Sequence, residues 1–272
     1  MYEEAGTKAA EFAWKHRGAL QKAAAELFEV ARRGRTRVLV FGAGGVGKSS
    51  LGKLLAGKLT DEELLKGYRD SFTTEQFPIP ETLTGRILVA PGQRHKQGEW
   101  DDLLVLLRAG KVGGVINMVG YGYHSLRGSY RDHALQTPGM TPDKFREVYL
   151  PARRRLEIEQ LTTLAPELAR APNKLWFMTL VSKQDLWWDR RAEVAAHYET
   201  GQYAEIVAGI QATRQARNFP HEVVAASLTI ENLYDGAHET LAPTVAGYDH
   251  RMRLANLGRF SMGLRQLVGT AR

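Results

Sequence analysis

The stretch Arg37-Val38-Leu39-Val40-Phe41-Gly42-Ala43-Gly44-Gly45-Val46-Gly47-Lys48-Ser49-Ser50-Leu51 decides the fold of this 272-residue chain. Val38 to Phe41 form an apolar run suited to a strand buried on both faces, and Gly42 to Ser49 match G-x-x-x-x-G-K-S at every fixed position. Such a loop binds phosphate. Gly42, Gly44, Gly45 and Gly47 let the backbone N–H groups from Gly44 through Val46 to Lys48 converge on one point. The helix that begins at Lys48, Ser49 and Ser50 adds its positive amino-terminal end, and Lys48 adds a full charge. Ser49 then has its hydroxyl placed for a Mg²⁺ ion bridging the β- and γ-phosphates.

Outward from this loop, apolar strands alternate with helical periods. Upstream, Phe12, Ala13, Leu20, Ala23, Ala24, Leu27 and Val30 recur at helical spacing, so residues 7–33 read as one helix ahead of the first strand. That helix packs on its own sheet or, less simply, on a partner or a membrane surface. Downstream, Ile87–Ala90, Val115–Val119, Leu175–Val181 and Glu222–Ala226 read as four further strands, with helices over Trp100–Leu107, Pro142–Ala169 and His250–Val268. Between residues 59 and 84 periodicity is lost, and Ser71, Thr73, Thr74, Pro78 and Pro80 read as an extended loop. The order implies a doubly wound, mostly parallel α/β sheet with its site at the carboxyl ends of the strands. Residues 1–34 form an amino-terminal helical extension, and 35–272 one domain with an insert around 120–142.

Composition bounds the rest. No apolar run approaches the roughly 18 residues a membrane span needs. The amino terminus lacks the pattern of a secretory signal. With no cysteine, thiolate metal sites and cysteine nucleophiles are excluded, and a cytoplasmic home is the simplest expectation. A net charge of +7 permits nucleic acid or anionic lipid as partners without supporting either, because the arginines are spread along helices. Tyr121, Tyr123, Arg127, Tyr130 and Arg131 interleave aromatics with cations, as single-strand binders do, but the simpler expectation is a solvated insert that packs its tyrosines locally. The histidines, His124 and His133 included, have no zinc-ligand spacing.

Ser182-Lys183-Gln184-Asp185, at the end of the fourth strand, speaks to the base. Guanine presents N1–H beside an exocyclic amine, and a carboxylate with two acceptor oxygens matches that pair, whereas adenine offers no such donors. Asp185 supplies the carboxylate, and the stem of Lys183 can lie across the base. Ser182 is placed to tie this loop to the phosphate loop.

Together these pieces resemble the Ras-like small GTPases and the wider translation-factor-related P-loop GTPases, over roughly Arg37 to Leu228. The resemblance implies a P-loop NTPase sheet, GTP or GDP with Mg²⁺ as ligands, slow hydrolysis of GTP to GDP, and a protein effector or regulator as partner. The family's Asn/Thr-Lys-x-Asp motif is Ser182-Lys183-Gln184-Asp185 here, and its Ser-Ala-Lys loop has a counterpart in Ser227-Leu228-Thr229. Its Asp-x-x-Gly-Gln motif falls on Val89-Ala90-Pro91-Gly92-Gln93. Gly92 then senses the γ-phosphate and Gln93 orients the attacking water, with Lys48 as the other catalytic residue. Val89 replaces the aspartate that holds Mg²⁺, leaving Ser49 and a switch threonine, Thr73 or Thr74, as metal ligands. Two alternatives stay open: a non-hydrolysing interaction module that keeps its nucleotide for structure, favoured by Val89, and an ATPase, disfavoured by Asp185.

Overall fold

The computed structural model describes residues 37–55, 75–78, 86–90, 97–124, 140–215, 218–230, 232–234 and 240–270. In chain order these hold β1 (Arg37–Gly42), α1 (Lys48–Leu55), β2 (Glu75–Pro78), β3 (Arg86–Val89), α2 (Gln97–Arg108), β4 (Val112–Val119) and α3 (Pro142–Arg170). There follow β5 (Trp176–Val181), α4 (Arg191–Ala195), a π-helical turn (Ala196–Thr200), α5 (Gln202–Arg214), β6 (His221–Ala225), β7 (Leu233–Tyr234), β8 (Thr240–Ala242) and α6 (His250–Thr270). The main sheet runs β2-β3-β1-β4-β5-β6. Five of its strands are parallel, and β2 pairs antiparallel with β3 at the edge.

Both faces of the sheet are covered at its centre, which is why β1, β4 and β5 read as nearly unbroken apolar runs. Leu39, Phe41, Val115, Val119, Phe177 and Val181 face one way, into a core with Leu103 and Leu107 of α2, Phe145, Leu161 and Leu164 of α3, and Tyr203 and Val207 of α5. Their neighbours Val38, Val40, Ile116, Met118, Met178 and Leu180 face the other way, onto Leu51 and Leu54 of α1 and Leu257, Phe260 and Leu264 of α6. This period-2 division makes a one-residue register slip prohibitive, since it would exchange the two cores.

Close approach fixes β4 between its neighbours. A methyl group at Gly114 would stand 1.8 Å from Trp176 Cε2, so the indole of β5 occupies the place of a side chain there. Asn117, polar within a buried strand, donates from Nδ2 to the Tyr203 hydroxyl at 2.8 Å. That hydroxyl lies 3.0 Å from Thr179 Oγ1, which lies 3.0 Å from His221 Nε2. The chain of polar atoms satisfies three strands and α5 at once.

The expected mostly parallel α/β sheet is what the structure has. Two local readings change. Within the segment read as an extended loop, Glu75–Pro78 forms the antiparallel edge strand. It is too short, and too interrupted by proline, to carry a period, and Pro78 is tolerated because it lies at the end of an edge strand. The stretch after β4 was expected to be solvated, but Tyr121, Tyr123 and His124 are buried in the α3 side of the core. Residues 1–36, with the expected amino-terminal helix, lie outside the described residues, as do Arg127, Tyr130, Arg131 and His133 of the insert.

Candidate functional site

The phosphate-type loop leaves β1 through Gly42, whose φ of +137° and approach to β4 both require glycine: an added Cβ would sit 2.1 Å from the Met118 carbonyl oxygen. Gly45 (φ 78°) and Gly47 (φ 98°) also take left-handed conformations. Leu51 N–H donates to Gly47 O at 2.9 Å, so α1 starts directly from the loop, with Ser49 and Ser50 in its first turn. Lys48 is buried, and its Nζ donates to Gly42 O and Ala43 O, each at 2.9 Å. These two carbonyls hold the ammonium across the mouth of its own loop, an arrangement suited to an anion of high charge.

The loop after β5 is equally determined. Lys183 adopts a left-handed conformation (φ 57°), and Leu186 N–H closes the turn onto its carbonyl at 2.9 Å. The turn brings Asp185 inward, where it is buried. Ser227 Oγ accepts from Asp185 N–H at 2.9 Å and donates to Asp185 Oδ1 at 2.5 Å. The hydroxyl after β6 therefore orients the carboxylate after β5. Ser182 Oγ donates to Val119 O at 2.9 Å, so it ties its loop to the end of β4 rather than to the phosphate-type loop. The link to that loop is apolar instead: a methyl at Gly47 would lie 3.5 Å from Leu228 Cδ1, and Val46 packs beside Gly120 at the end of β4. Gly42 through Ser50, Ser182 to Asp185, and Ser227 with Leu228 thus gather at the carboxyl edge of β1, β4, β5 and β6.

Several residues that build this edge gave no motif signal. Gln184, the variable position of its tetrapeptide, is buried, and its Oε1 accepts from Tyr248 Oη at 3.1 Å and Asn256 Nδ2 at 2.7 Å. Trp187 Nε1 donates to Ser182 O at 2.9 Å, and Val245 N–H donates to Asp185 O at 2.8 Å. The Asp185 loop is therefore clamped from behind by α6 and by the segment following β8. Glu157, in the middle of α3, binds the turn after β4. Its polar position inside a buried helix face was the one available hint, and no spacing rule connects it to that turn.

Val89 is buried at the end of β3, in the apolar cluster with Val40, Leu51 and Leu54. Ala90 N–H donates to Val40 O at 2.9 Å, so the strand remains paired to its end. Gly92, Gln93, Thr73 and Thr74 lie outside the described residues. Among the described residues no group of three or more His, Asp or Glu side chains is placed to hold a metal. Ser49 stands in the first turn of α1, where a hydroxyl could serve a hard cation that keeps most of its ligands as water and phosphate oxygen.

No protein-family model matches this chain, and no curated protein matches it. Among solved structures, similarity extends to P-loop GTPases. The ADP-ribosylation factor-like GTP-binding protein/small COPII coat GTPase SAR1 of Encephalitozoon cuniculi, in complex with GDP, is 12% identical with a TM-score of 0.44, over 99% of this chain and 94% of that one. A dimerization-deficient mutant of Toc33 from Arabidopsis thaliana is 12% identical with a TM-score of 0.45, over 93% of each chain. mGMPPNP-bound NFeoB from S. thermophilus is 10% identical with a TM-score of 0.37, over 85% of this chain and 62% of that one.

Proposed function

We propose that this chain is a guanine-nucleotide-binding P-loop protein that acts as a slow GTPase switch in the cytoplasm. The observation that carries the reading is the meeting, on one sheet edge, of the Lys48 loop with a buried carboxylate oriented by Ser227. The first is a phosphate cradle; the second presents paired acceptors to N1–H and the exocyclic amine of guanine. In this reading the amides of Gly44 to Lys48 and the Lys48 ammonium hold the β- and γ-phosphates, and Ser49 holds Mg²⁺. When bound there, Mg²⁺ would supply positive charge against that developing on the transferred phosphoryl group. Lys183 covers one face of the base, and Gln93 orients the attacking water.

Hydrolysis is slow because Val89 offers Mg²⁺ no carboxylate, and its burial in an apolar cluster leaves no hydrated group in that place. The same observation favours a second reading, a non-hydrolysing module whose nucleotide is structural. In both, an effector or regulator recognises surfaces away from the chemistry, with the amino-terminal residues and the part of the 120–142 insert beyond His124 as candidates. The test is calorimetric titration of the purified chain with GDP, GTP and ATP, with and without Mg²⁺, followed by single-turnover GTP hydrolysis. Guanine-selective binding with slow Mg²⁺-dependent turnover supports the switch, and binding without turnover supports the module. ATP preference, or no nucleotide binding, removes both.

A further inference from the structure

The turn after β4 is a second nest of backbone amides. Tyr121 (φ 50°) and Gly122 (φ 85°) both lie in the left-handed region, and Tyr123 N–H closes onto Gly120 O at 2.8 Å. These are the signs of a type I′ turn, which asks for residues that tolerate positive φ. Gly122 has no alternative, since an added Cβ would stand 2.6 Å from Leu150 O. Tyr121 is the costly member, because a non-glycine residue rarely adopts this conformation.

Two amides of this turn point at one internal anion, and the third reaches it through a bridging hydroxyl. Gly120 N–H and Gly122 N–H donate to Glu157 Oε1 at 2.9 and 3.2 Å. Tyr121 N–H donates at 3.0 Å to the Tyr198 hydroxyl, which in turn donates to Glu157 Oε2 at 2.5 Å. His124 Nε2 lies 3.3 Å from Oε1, close to it but not aligned as a hydrogen bond. Glu157, His124 and Tyr198 are all buried. The π-helical turn Ala196–Thr200 is what carries Tyr198 to this point, and such irregular turns commonly serve to re-aim a side chain. Above the turn, Arg154 stacks on the Tyr121 ring at 4.5 Å and Arg190 lies 5.4 Å from it.

The turn adjoins the candidate site directly. Val119 O, immediately before Gly120, accepts both Ser182 N–H (2.8 Å) and Ser182 Oγ (2.9 Å), and a methyl at Gly120 would lie 3.6 Å from Ser182 Oγ and 3.8 Å from Val46 Cγ1. Resting on the guanine-nucleotide reading above, we propose that Glu157 is a positioning residue for nucleotide binding: its carboxylate fills the nest after β4 and so sets the position of Ser182 and of the loop that presents Asp185. Energy enters through alternatives. Without the anion, the Gly120 and Gly122 amides lose their acceptor and the Tyr198 hydroxyl that holds the Tyr121 amide loses its own, so the strained turn relaxes and Val119 and Ser182 move with it.

The experiment uses the full chain with Glu157→Ala, Glu157→Gln and Tyr198→Phe. GDP affinity is measured by calorimetry, and amide hydrogen exchange is followed at residues 119–123 and 182–187. Glu157→Ala is expected to weaken GDP binding about tenfold, within the range that packed networks transmit, and to speed exchange in both segments. Added formate, a carboxylate small enough to enter the vacated nest, should restore part of the affinity to Glu157→Ala while leaving wild type unchanged. Glu157→Gln keeps an acceptor for the amides and should fall between the two. If Glu157→Ala does not fold, Tyr198→Phe removes the bridging hydroxyl while keeping the ring, and a several-fold loss with faster exchange at 182–187 is expected of it. Unchanged GDP affinity and unchanged exchange at 182–187 in a folded variant overturn the positioning role alone. Failure of the wild-type chain to bind GDP overturns the nucleotide reading and the positioning role with it.

Discussion

Lys48 shows how little of a site's work is visible in a single side chain. Its ammonium is held by two carbonyls of its own loop, so Lys48→Ala should leave the fold nearly intact yet cost GTP binding a charge-assisted hydrogen bond of about 1.5–3 kcal/mol or more. Calorimetric titration beside a thermal melt reads the two effects separately, and unchanged GTP affinity in a folded variant would end the phosphate-loop assignment. Asp185→Asn should shift base preference from guanine toward xanthine nucleotides, because an amide donates to the 2-oxo group where a carboxylate repels it. Competition among GTP, XTP and ATP measures this, with no change in rank as the adverse result. Val89→Asp would put an unpaired carboxylate into the cluster of Val40, Leu51 and Leu54. It should destabilise the chain by about 4 kcal/mol or more rather than create a better metal site; urea unfolding decides between the outcomes. The motif residues were readable because phosphate and guanine constrain residue type at fixed spacing. Glu157 and Tyr198 were not, since a buried carboxylate meets its amides across 37 residues of sequence, and a hydroxyl reaches them only through a π-helical turn.

Elements were legible in proportion to their burial. β1, β4 and β5 are covered on both faces and announced themselves as apolar runs, and α3 begins at Pro142, where its helical period was read, with Thr141 Oγ1 accepting from Lys144 N–H. The edge strand β2 and the short β7–β8 pair gave no such sign, because a strand of two to four residues has too few positions to show alternation. β4 carries the least tolerant contact among these strands. Gly114→Ala sets a methyl against the Trp176 indole with sheet backbone on either side, so overpacking should cost about 1–3 kcal/mol or more. Chemical denaturation checks this, and relief by Trp176→Leu in the same chain would locate the clash.

For the molecule as a whole, buried titratable groups make stability depend on pH. Burial pushes His221 down to about 4 from its ordinary 6.5, and also lowers His197 and His250. A lowered histidine means the unfolded chain binds more protons, so stability is complete above about pH 6.5 and is lost as pH falls toward 4. Burial alone would raise Glu157, but His124, Tyr198 and the Gly120 amide together hold it below the usual carboxylate range. Its contribution is present above its unfolded value and is lost as pH falls through the lower folded one. Glu222, raised by burial, works in the opposite sense and only partly offsets these. The thermal midpoint should therefore drop between pH 6.5 and 4, and His221→Gln should flatten that slope even if it lowers the midpoint overall. An equal slope in the variant would show that His221 is not the group responsible.

The placement of α6 governs the order in which this molecule can be made. Residues 250–270 supply Leu257, Phe260 and Leu264 to the sheet face opposite α3, and Asn256 to Gln184 behind the Asp185 loop. A chain growing from its amino end presents β1 through β6 before that cover exists, so the part of this apolar face that α1 leaves bare waits in water, or against a chaperone, until α6 emerges from the ribosome. The Asp185 loop acquires its rear support at the same moment. Competence to take up a ligand at that edge is then a late event in biosynthesis, timed by the arrival of a helix that need not touch the ligand at all.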